Sequence, residues 1–405
     1  MKGRTVALVV LCGVACSLCA SGCRRAPRSA HTLALGLALF TTDPEGHQKP
    51  DRATAGFLAP DGARWRHGTL RDGDSNVFHK VLEYCPQPGS CGLLTLGGSK
   101  AEIKLWRPGA PPTVVWQADF GGRFSRMRDA EVADVMGDGV PAIVVATHDQ
   151  GVVTLVRPES GGGFSVKELD RQPDTFVHEI EVGDLDGDGV LEIYATPSAP
   201  NKLDGTPQAG AVVRYVPRRG EGRKVVAALG NRHAKEILVT DLDGDGKDEL
   251  YVSVEAVSGG EVEVRRYLAD TPPTAGQTVA VLPDRLCRCL TAGDVDGDGR
   301  REIVAATAKA GLWLLRPGAG LPWKTERIAA DSSGFEHAAL LADLDGDGRD
   351  ELYVASDEQN EVRQYVLRDG AWQQRVLYRY PGKLDGFTWN LTAVRTSLVP
   401  PSAWE

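Results

Sequence analysis

The sequence is poor in the signatures that announce an enzyme. It has no Gly-x-Ser-x-Gly elbow, no His-Glu-x-x-His helix and no dinucleotide fingerprint, so the common nucleophile, zinc and nucleotide chemistries have no carrier. The pair His178-Glu179 has no second histidine at the needed spacing. A convincing amphipathic helix is also missing. Beyond the first 22 residues no segment could span a bilayer. The formal net charge of −9 offers nothing to nucleic acid. Cysteine is scarce where it matters. Cys12, Cys16 and Cys19 fall in the N-terminal apolar segment and Cys23 borders it, which leaves Cys85, Cys91, Cys287 and Cys289.

Acidic turns, by contrast, recur. The stretch from Asp184 to Glu192 returns at Asp241 to Glu249, Asp294 to Glu302 and Asp343 to Glu351. Each copy carries aspartates at positions one, three and five: Asp184, Asp186 and Asp188; Asp241, Asp243 and Asp245; Asp294, Asp296 and Asp298; Asp343, Asp345 and Asp347. Wrapped inward, such carboxylates repel one another unless a cation draws them together. Calcium, a hard ion with about six to eight oxygen ligands, supplies the reason for wrapping. Glycines at positions four and six allow the positive φ angles that so tight a wrap needs. Position seven (Val190, Lys247, Arg300, Arg349) varies freely, as expected if only its carbonyl binds. Position nine is a fourth carboxylate: Glu192, Glu249, Glu302 and Glu351.

An EF-hand would need a glutamate at position twelve, where the chain has Ala195, Val252, Ala305 and Val354. Strand-like runs such as Glu-Ile-Tyr-Ala-Thr follow the loops, so each loop joins strand to strand. A plain polar turn is the alternative for any one copy. Four copies at fixed offsets favour calcium, with about four sites expected. A worn copy keeps Asp134 and Asp138 but has Met136 and Ala142 at ligand positions, so weak binding or none is expected there.

These loops are similar to those of the FG-GAP/VCBS repeat family, whose blades carry Asp-x-Asp-Gly-Asp-Gly turns. The resemblance covers nearly the whole chain after the N-terminal segment. It implies a β-propeller with calcium-binding loops. It leaves activity open, because the family includes adhesins, lectin-like proteins and parts of enzymes.

Successive loops start 50, 57, 53 and 49 residues apart, and Pro108, Pro158 and Pro317 end similar strands. Six blades then begin near residues 76, 126, 176, 231, 285 and 334. Two pieces remain. Gly386 to Leu391 matches the first strand at Gly334 to Ala339 but has no blade after it. The N-terminal piece reads as three strands, near 33–41, 54–59 and 63–70, with no first strand before them. Joined, they make one more blade. The expected fold is therefore all-β, a seven-bladed β-propeller whose first blade is closed by the C-terminal strand. The plan is a signal segment at 1–22, a linker at 23–31, the propeller at 32–395 and a tail at 396–405.

Where the second blade should have its loop, Cys85 takes position one and Cys91 position seven. Those positions lie close together around a bound cation, so a disulfide is expected to staple this turn in its place, with two unpaired thiols as the alternative. For Cys287 and Cys289, two apart on one strand, a strained disulfide, a thiol pair and a metal site all stay open.

Lys2 and Arg4 precede an apolar run from Val6 to Val14. Ala20-Ser21-Gly22-Cys23 resembles a bacterial lipoprotein cleavage box, with Ala20 in place of the commoner leucine. An ordinary secretory peptide is the alternative. The resemblance implies lipid on Cys23 and, with Arg24 rather than aspartate next, the outer membrane, with the propeller in the periplasm or at the cell surface. Cleavage would take the charge from −9 to about −11 by removing Lys2 and Arg4. Sixteen acids occupy the ligand positions of the four intact loops, and four calcium ions would bring the balance to about −3. The acidity is thus metal chemistry rather than a patch for a basic partner.

Six residues before each loop start stands His79, Arg128, His178, Lys235, Arg288 or His337, and Trp389 in the C-terminal strand. Two residues further on the chain is apolar in every case: Val81, Ala130, Ile180, Ile237, Leu290, Ala339, Leu391. One register is core, and the position before it is cationic or aromatic all round. Innermost strands converge on the central channel, so these side chains are expected to ring the mouth opposite the calcium loops and to favour a small anionic ligand or a glycan. The alternative is that they cap strand ends and bond neighbouring backbone. Three functions follow: a membrane-anchored binding propeller for glycan, anion or envelope protein; a propeller enzyme acting on carbohydrate as a lyase or quinone-dependent dehydrogenase; or an envelope scaffold. The first is preferred, and a monomer is expected.

Overall fold

The computed structural model describes residues 31–62, 64–98, 101–121, 126–148, 150–200 and 206–404. The expected signal segment, Cys23, the linker to residue 30 and most of the insertion at 201–208 lie outside them. The described chain is β throughout, apart from four single-turn 3-10 segments. Its strands form seven antiparallel sheets, six of them four-stranded meanders of consecutive strands. We number them as blades. Blade two starts at Phe78–Tyr84, blade three at Met127–Ala133, blade four at Phe176–Gly183, blade five at Ala234–Thr240, blade six at Cys287–Gly293 and blade seven at Ala339–Ala342. These starts lie within a few residues of those expected.

Blade one is built from both ends of the chain. Its strands His31–Thr42, Arg52–Asp61 and Arg64–Asn76 follow the N-terminal segment. Its innermost strand is Gly386–Arg395, which pairs antiparallel with His31–Thr42 from His31 opposite Arg395 to Leu39 opposite Gly386. A short strand, Gln48–Pro50, extends this sheet at one end.

Burial explains the sequence texture of each blade. The second strands of blades two to seven, among them Ala142–Thr147, Glu249–Val254 and Glu302–Thr307, are buried at every residue. Strands covered on both faces read as continuous apolar runs rather than alternating ones. The outermost strands, such as Phe164–Arg171 and Glu221–Ala228, are largely exposed and polar. The hydrophobic core is seven separate clusters, each spanning two neighbouring blades. One of them packs Leu33, Leu35 and Leu391 of blade one against Ala338, Tyr353 and Val362 of blade seven.

Residues after Arg395 continue this packing. Leu398, Val399 and Ala403 join the cluster between blades one and two. Trp404 bridges Gly68, with its ring 6.2 Å from Phe57 and the Arg66 guanidinium 4.0 Å above it.

Candidate metal loops and channel cavity

The four acidic loops link the first and second strands of blades four to seven. Each is held by its own backbone. Asp184 accepts the N–H groups of Gly187 and Gly189 at 2.9 and 2.6 Å, and Asp188 accepts that of Val190 at 2.9 Å. The same bonds recur from Gly244 and Gly246 to Asp241, and from Gly297 and Gly299 to Asp294. Gly187 and Gly189 adopt φ of 71° and 79°, where a Cβ would be strained. The wrap gathers carboxylate oxygens. Asp184, Asp186 and Asp188 lie within 4.8 Å of one another, as do Asp241, Asp243 and Asp245; Asp294, Asp296 and Glu302; and Asp343, Asp345, Asp347 and Glu351. These groups could hold a metal ion, and their donors are all oxygen.

Position nine plays two parts. Glu302 and Glu351 join the gathered oxygens, whereas Glu192 and Glu249 do not. All four are buried. Glu249, Glu302 and Glu351 accept the position-two N–H of Leu242, Val295 and Leu344, which clamps the loop base. Burial, with the loop aspartates adding to it, pushes the carboxyls of Glu302 and Glu351 up to about 7.

Blades two and three join their first and second strands by a loop without the full acidic set, and each shows a substitute. In blade three Asp134 keeps its bonds to the Asp138 and Gly139 N–H groups, at 3.1 and 2.7 Å. Asp138 meets the Arg157 guanidinium at 2.6 and 2.8 Å, so the protein supplies the positive charge itself. In blade two Cys85 and Cys91 are joined by a disulfide with Cα atoms 4.0 Å apart. Cys287 and Cys289 are unpaired thiols. Burial pushes Cys287 up to about 12 and Cys289 well above its ordinary value, so both stay protonated.

At the other end of the innermost strands the backbone bulges. The pairing skips a residue at His79, Arg128, Lys235, Arg288 and Trp389, and slips at His178-Glu179. A bulge re-aims its side chain and bends the strand. This is the same position that stands out in the sequence. Five of the seven residues, His79, Arg128, Lys235, Arg288 and Trp389, line one cavity of about 280 Å3. His178 and His337 do not. His337 is fully buried, its ring bonded to the Thr307 carbonyl at 2.6 Å and to the Ser332 hydroxyl at 2.8 Å, so it ties blade six to blade seven. His178 packs edge-on to His148, with centroids 5.0 Å apart, and near Phe176.

The expected surplus of positive charge is corrected by the acids beside it. Asp129, Glu131, Glu179, Glu181, Glu236 and Glu336 line the same cavity, with Lys80 among them. Arg288 reaches Glu255 and Glu336, both at 2.9 Å, and Arg128 lies 3.6 Å from Glu336. Lys80 bonds Asp129 at 2.8 Å and Glu131 at 2.5 Å. The physical reason is general: charges taken out of water need partners. Aromatic faces add to this, Arg128 lying 4.1 Å over Trp389 and Arg288 4.3 Å over Phe335. The signal was present in the chain, since Asp129 and Glu131, and Glu179 and Glu181, alternate with core residues on one strand face.

Electrostatics differ through the cavity. Burial, then the neighbouring Asp129, push Glu179 well above the carboxylate range, and burial, then Glu131, do the same to Glu181. Burial raises Glu236 in the same direction. Burial, then Arg288, lower Lys235 to about 8. Burial alone would lower Lys80, but Asp129 and Glu131 outweigh it and hold it well above its usual value.

Comparison with known proteins agrees with this architecture. The FG-GAP-like repeat model matches residues 110–195 and 241–305. No curated protein matches the chain. Among solved structures, a Bacteroides uniformis protein described as a candidate 6-phosphogluconolactonase aligns over 91% of this chain and 100% of its own, with TM-score 0.54 and 9% identity. The propeller of Dos1 aligns over 86% of this chain and 85% of its own, with TM-score 0.53 and 9% identity. At such identities the likeness concerns the fold alone. The chain is a seven-bladed β-propeller that carries FG-GAP-like repeats.

Proposed function

We propose that the chain is a calcium-stabilised, membrane-anchored extracytoplasmic propeller that binds a small ligand in the channel, at the end away from the acidic loops. The observation that carries this is the repeated bulge, which sends His79, Arg128, Lys235, Arg288 and Trp389 into one cavity of about 280 Å3. A concave site with a few convergent polar groups is the usual form of a small-molecule site. Anionic metabolites and sugars carrying a carboxylate suit its guanidinium and indole groups.

Calcium is supported by the all-oxygen donor sets, which suit a hard cation. Its role here is to hold the loops, leaving the channel to the ligand. The anchor rests on the Cys23 motif, and the C-terminal strand acts as the clasp of blade one. The experiment is a metabolite and glycan screen on calcium-loaded protein, followed by Arg128→Ala. Loss of binding with an unchanged calcium-dependent melting profile supports the reading. Unchanged affinity in that variant removes the cavity as the site.

A second reading is carbohydrate turnover. It is favoured by the pairing of Asp129 with Glu179, in which Asp129 is held low by Lys80 and by Glu179 while Glu179 is held high. Such a split pair has the form of a general base beside a general acid. Turnover of uronic-acid polymers, or of sugars with added quinone, that is lost in Glu179→Gln would bring this reading forward.

A further inference from the structure

We infer that the channel cavity takes a small zwitterion, with its carboxylate against Arg128, Arg288 and Trp389 and its ammonium group among Glu179, Glu181 and Glu236. This deepens the proposed function and rests on the cavity being a ligand site.

Orphaned donors make the first argument. Arg128 Nε, Arg288 Nη2 and Trp389 Nε1 are buried and have no hydrogen-bond partner among the described residues. All three belong to residues that line the cavity. The Arg288 side chain is 3% exposed, so bulk water does not serve it. Buried N–H groups are nearly always paired, and an exception calls for an acceptor at that place. A carboxylate is the acceptor that guanidinium groups bind best.

Charge balance makes the second. The lining holds six carboxylates, Asp129, Glu131, Glu179, Glu181, Glu236 and Glu336, against four cations, Lys80, Arg128, Lys235 and Arg288. Lys80 pairs with Asp129 and Glu131, and the arginines pair with Glu336. Among the described residues no salt bridge reaches Glu179, Glu181 or Glu236. A simple anion would satisfy the orphaned donors but leave Glu179, Glu181 and Glu236 with no cation to ionise against. A simple amine would answer the acids and leave the donors unpaired. One molecule bearing both groups answers both.

Layering sets its size. The donors come from the bulge, six residues before the loop start, and the acids from five and three residues before it. The innermost strands all run from that end toward the loops, so the two poles are stacked along the channel. Three residues of strand span at most about 10 Å. A cavity of about 150 Å3 accommodates benzene, so about 280 Å3 admits a molecule of roughly ten heavy atoms. A short-chain amino acid meets both limits.

The test is calorimetry on the full calcium-loaded propeller. The probes are glycine, 4-aminobutyrate and 6-aminohexanoate, each set against its matched carboxylate and matched amine. We expect at least one zwitterion to bind at least tenfold tighter than either of its halves. Glu181→Gln, which is isosteric at a residue with no salt bridge, should weaken that zwitterion about tenfold and leave the matched carboxylate unaffected. Glu236→Gln, which keeps the acceptor for the Leu290 N–H, should act in the same direction. Equal binding of carboxylate and zwitterion overturns this inference while leaving an anion site in place. Binding of no member of the series overturns it as well. If the wider screen also finds no ligand sensitive to Arg128→Ala, the proposed function falls with it.

Discussion

The carboxylate of Asp248 accepts the backbone N–H of Asp184 at 2.7 Å, and the Asp248 N–H returns a bond to the Asp184 carbonyl at 3.0 Å. The acidic loop of blade four is thereby tied to that of blade five. Asp350 makes the same two bonds to Asp294, each 2.8 Å, between blades six and seven. Glycine just before the loop makes room. A Cβ at Gly183 would lie 2.6 Å from the Asp248 carboxylate, and one at Gly293 would lie 2.5 Å from that of Asp350. Asp248→Ala should therefore cost about 1–3 kcal/mol, the worth of a hydrogen bond to a charged acceptor plus the N–H left without one. Gly183→Ala should destabilise in the same direction. Denaturant unfolding of the calcium-loaded protein measures both, and unchanged midpoints would sever the link between loops and blade packing.

Acid should weaken the seam between blades six and seven. Burial holds His337 down at about 4, the bond to Thr307 offsetting only part of it. Between about pH 6.5 and 4 the unfolded chain binds a proton that the folded chain refuses, so stability falls as pH drops through that window. The loss amounts to roughly 3 kcal/mol once pH 4 is reached. Glu255, taken down to about 2 by Arg288 and His233 against the opposing effect of burial, adds a further loss as pH falls from about 4.5 toward 2. Unfolding free energies at pH 7 and pH 5 check the first window, and His337→Gln should flatten it.

Removal of residues 386–404 should open blade one. The strand Gly386–Arg395 is the inner partner of His31–Thr42, and Leu391 and Val394 contribute to the clusters on both sides of that blade. The truncated chain is expected to lose cooperative unfolding, and a peptide of residues 386–404 added in trans should restore it. A truncated chain that melts as the full one does would show that the circle closes without this strand.

Loss of the Cys85–Cys91 bond should cost about 2 kcal/mol, the loop-closure entropy of so short a ring. The double serine variant should melt lower without any change in calcium stoichiometry, which calorimetry would register.

Much of the architecture is legible in the chain because it repeats. Loop spacing gives the number of blades, and the unmatched first strand at Gly386 to Leu391 identifies the piece shared between the ends. The cationic or aromatic position before each core residue is legible too, though not its cause, since a bulge leaves no pattern of its own. Charge compensation was harder to foresee. Glu336 sits next to His337 in the chain but serves Arg288 and Arg128 from other blades, and only the closed ring brings them together. His337 misleads for a related reason. It occupies the register of the channel residues, yet its blade begins only at Ala339, and a φ of 51° turns it toward Ser332 and Thr307 instead.

Calcium-dependent melting tests the central claim most directly. With calcium in the four loops as proposed, at tenfold excess over its dissociation constant each site would contribute about 1.4 kcal/mol, and four sites about 5–6 kcal/mol. Chelation with EDTA should therefore lower Tm by many degrees, readdition of calcium should restore it, and Asp184→Ala should remove about a quarter of the effect. A Tm that EDTA leaves in place would contradict the account.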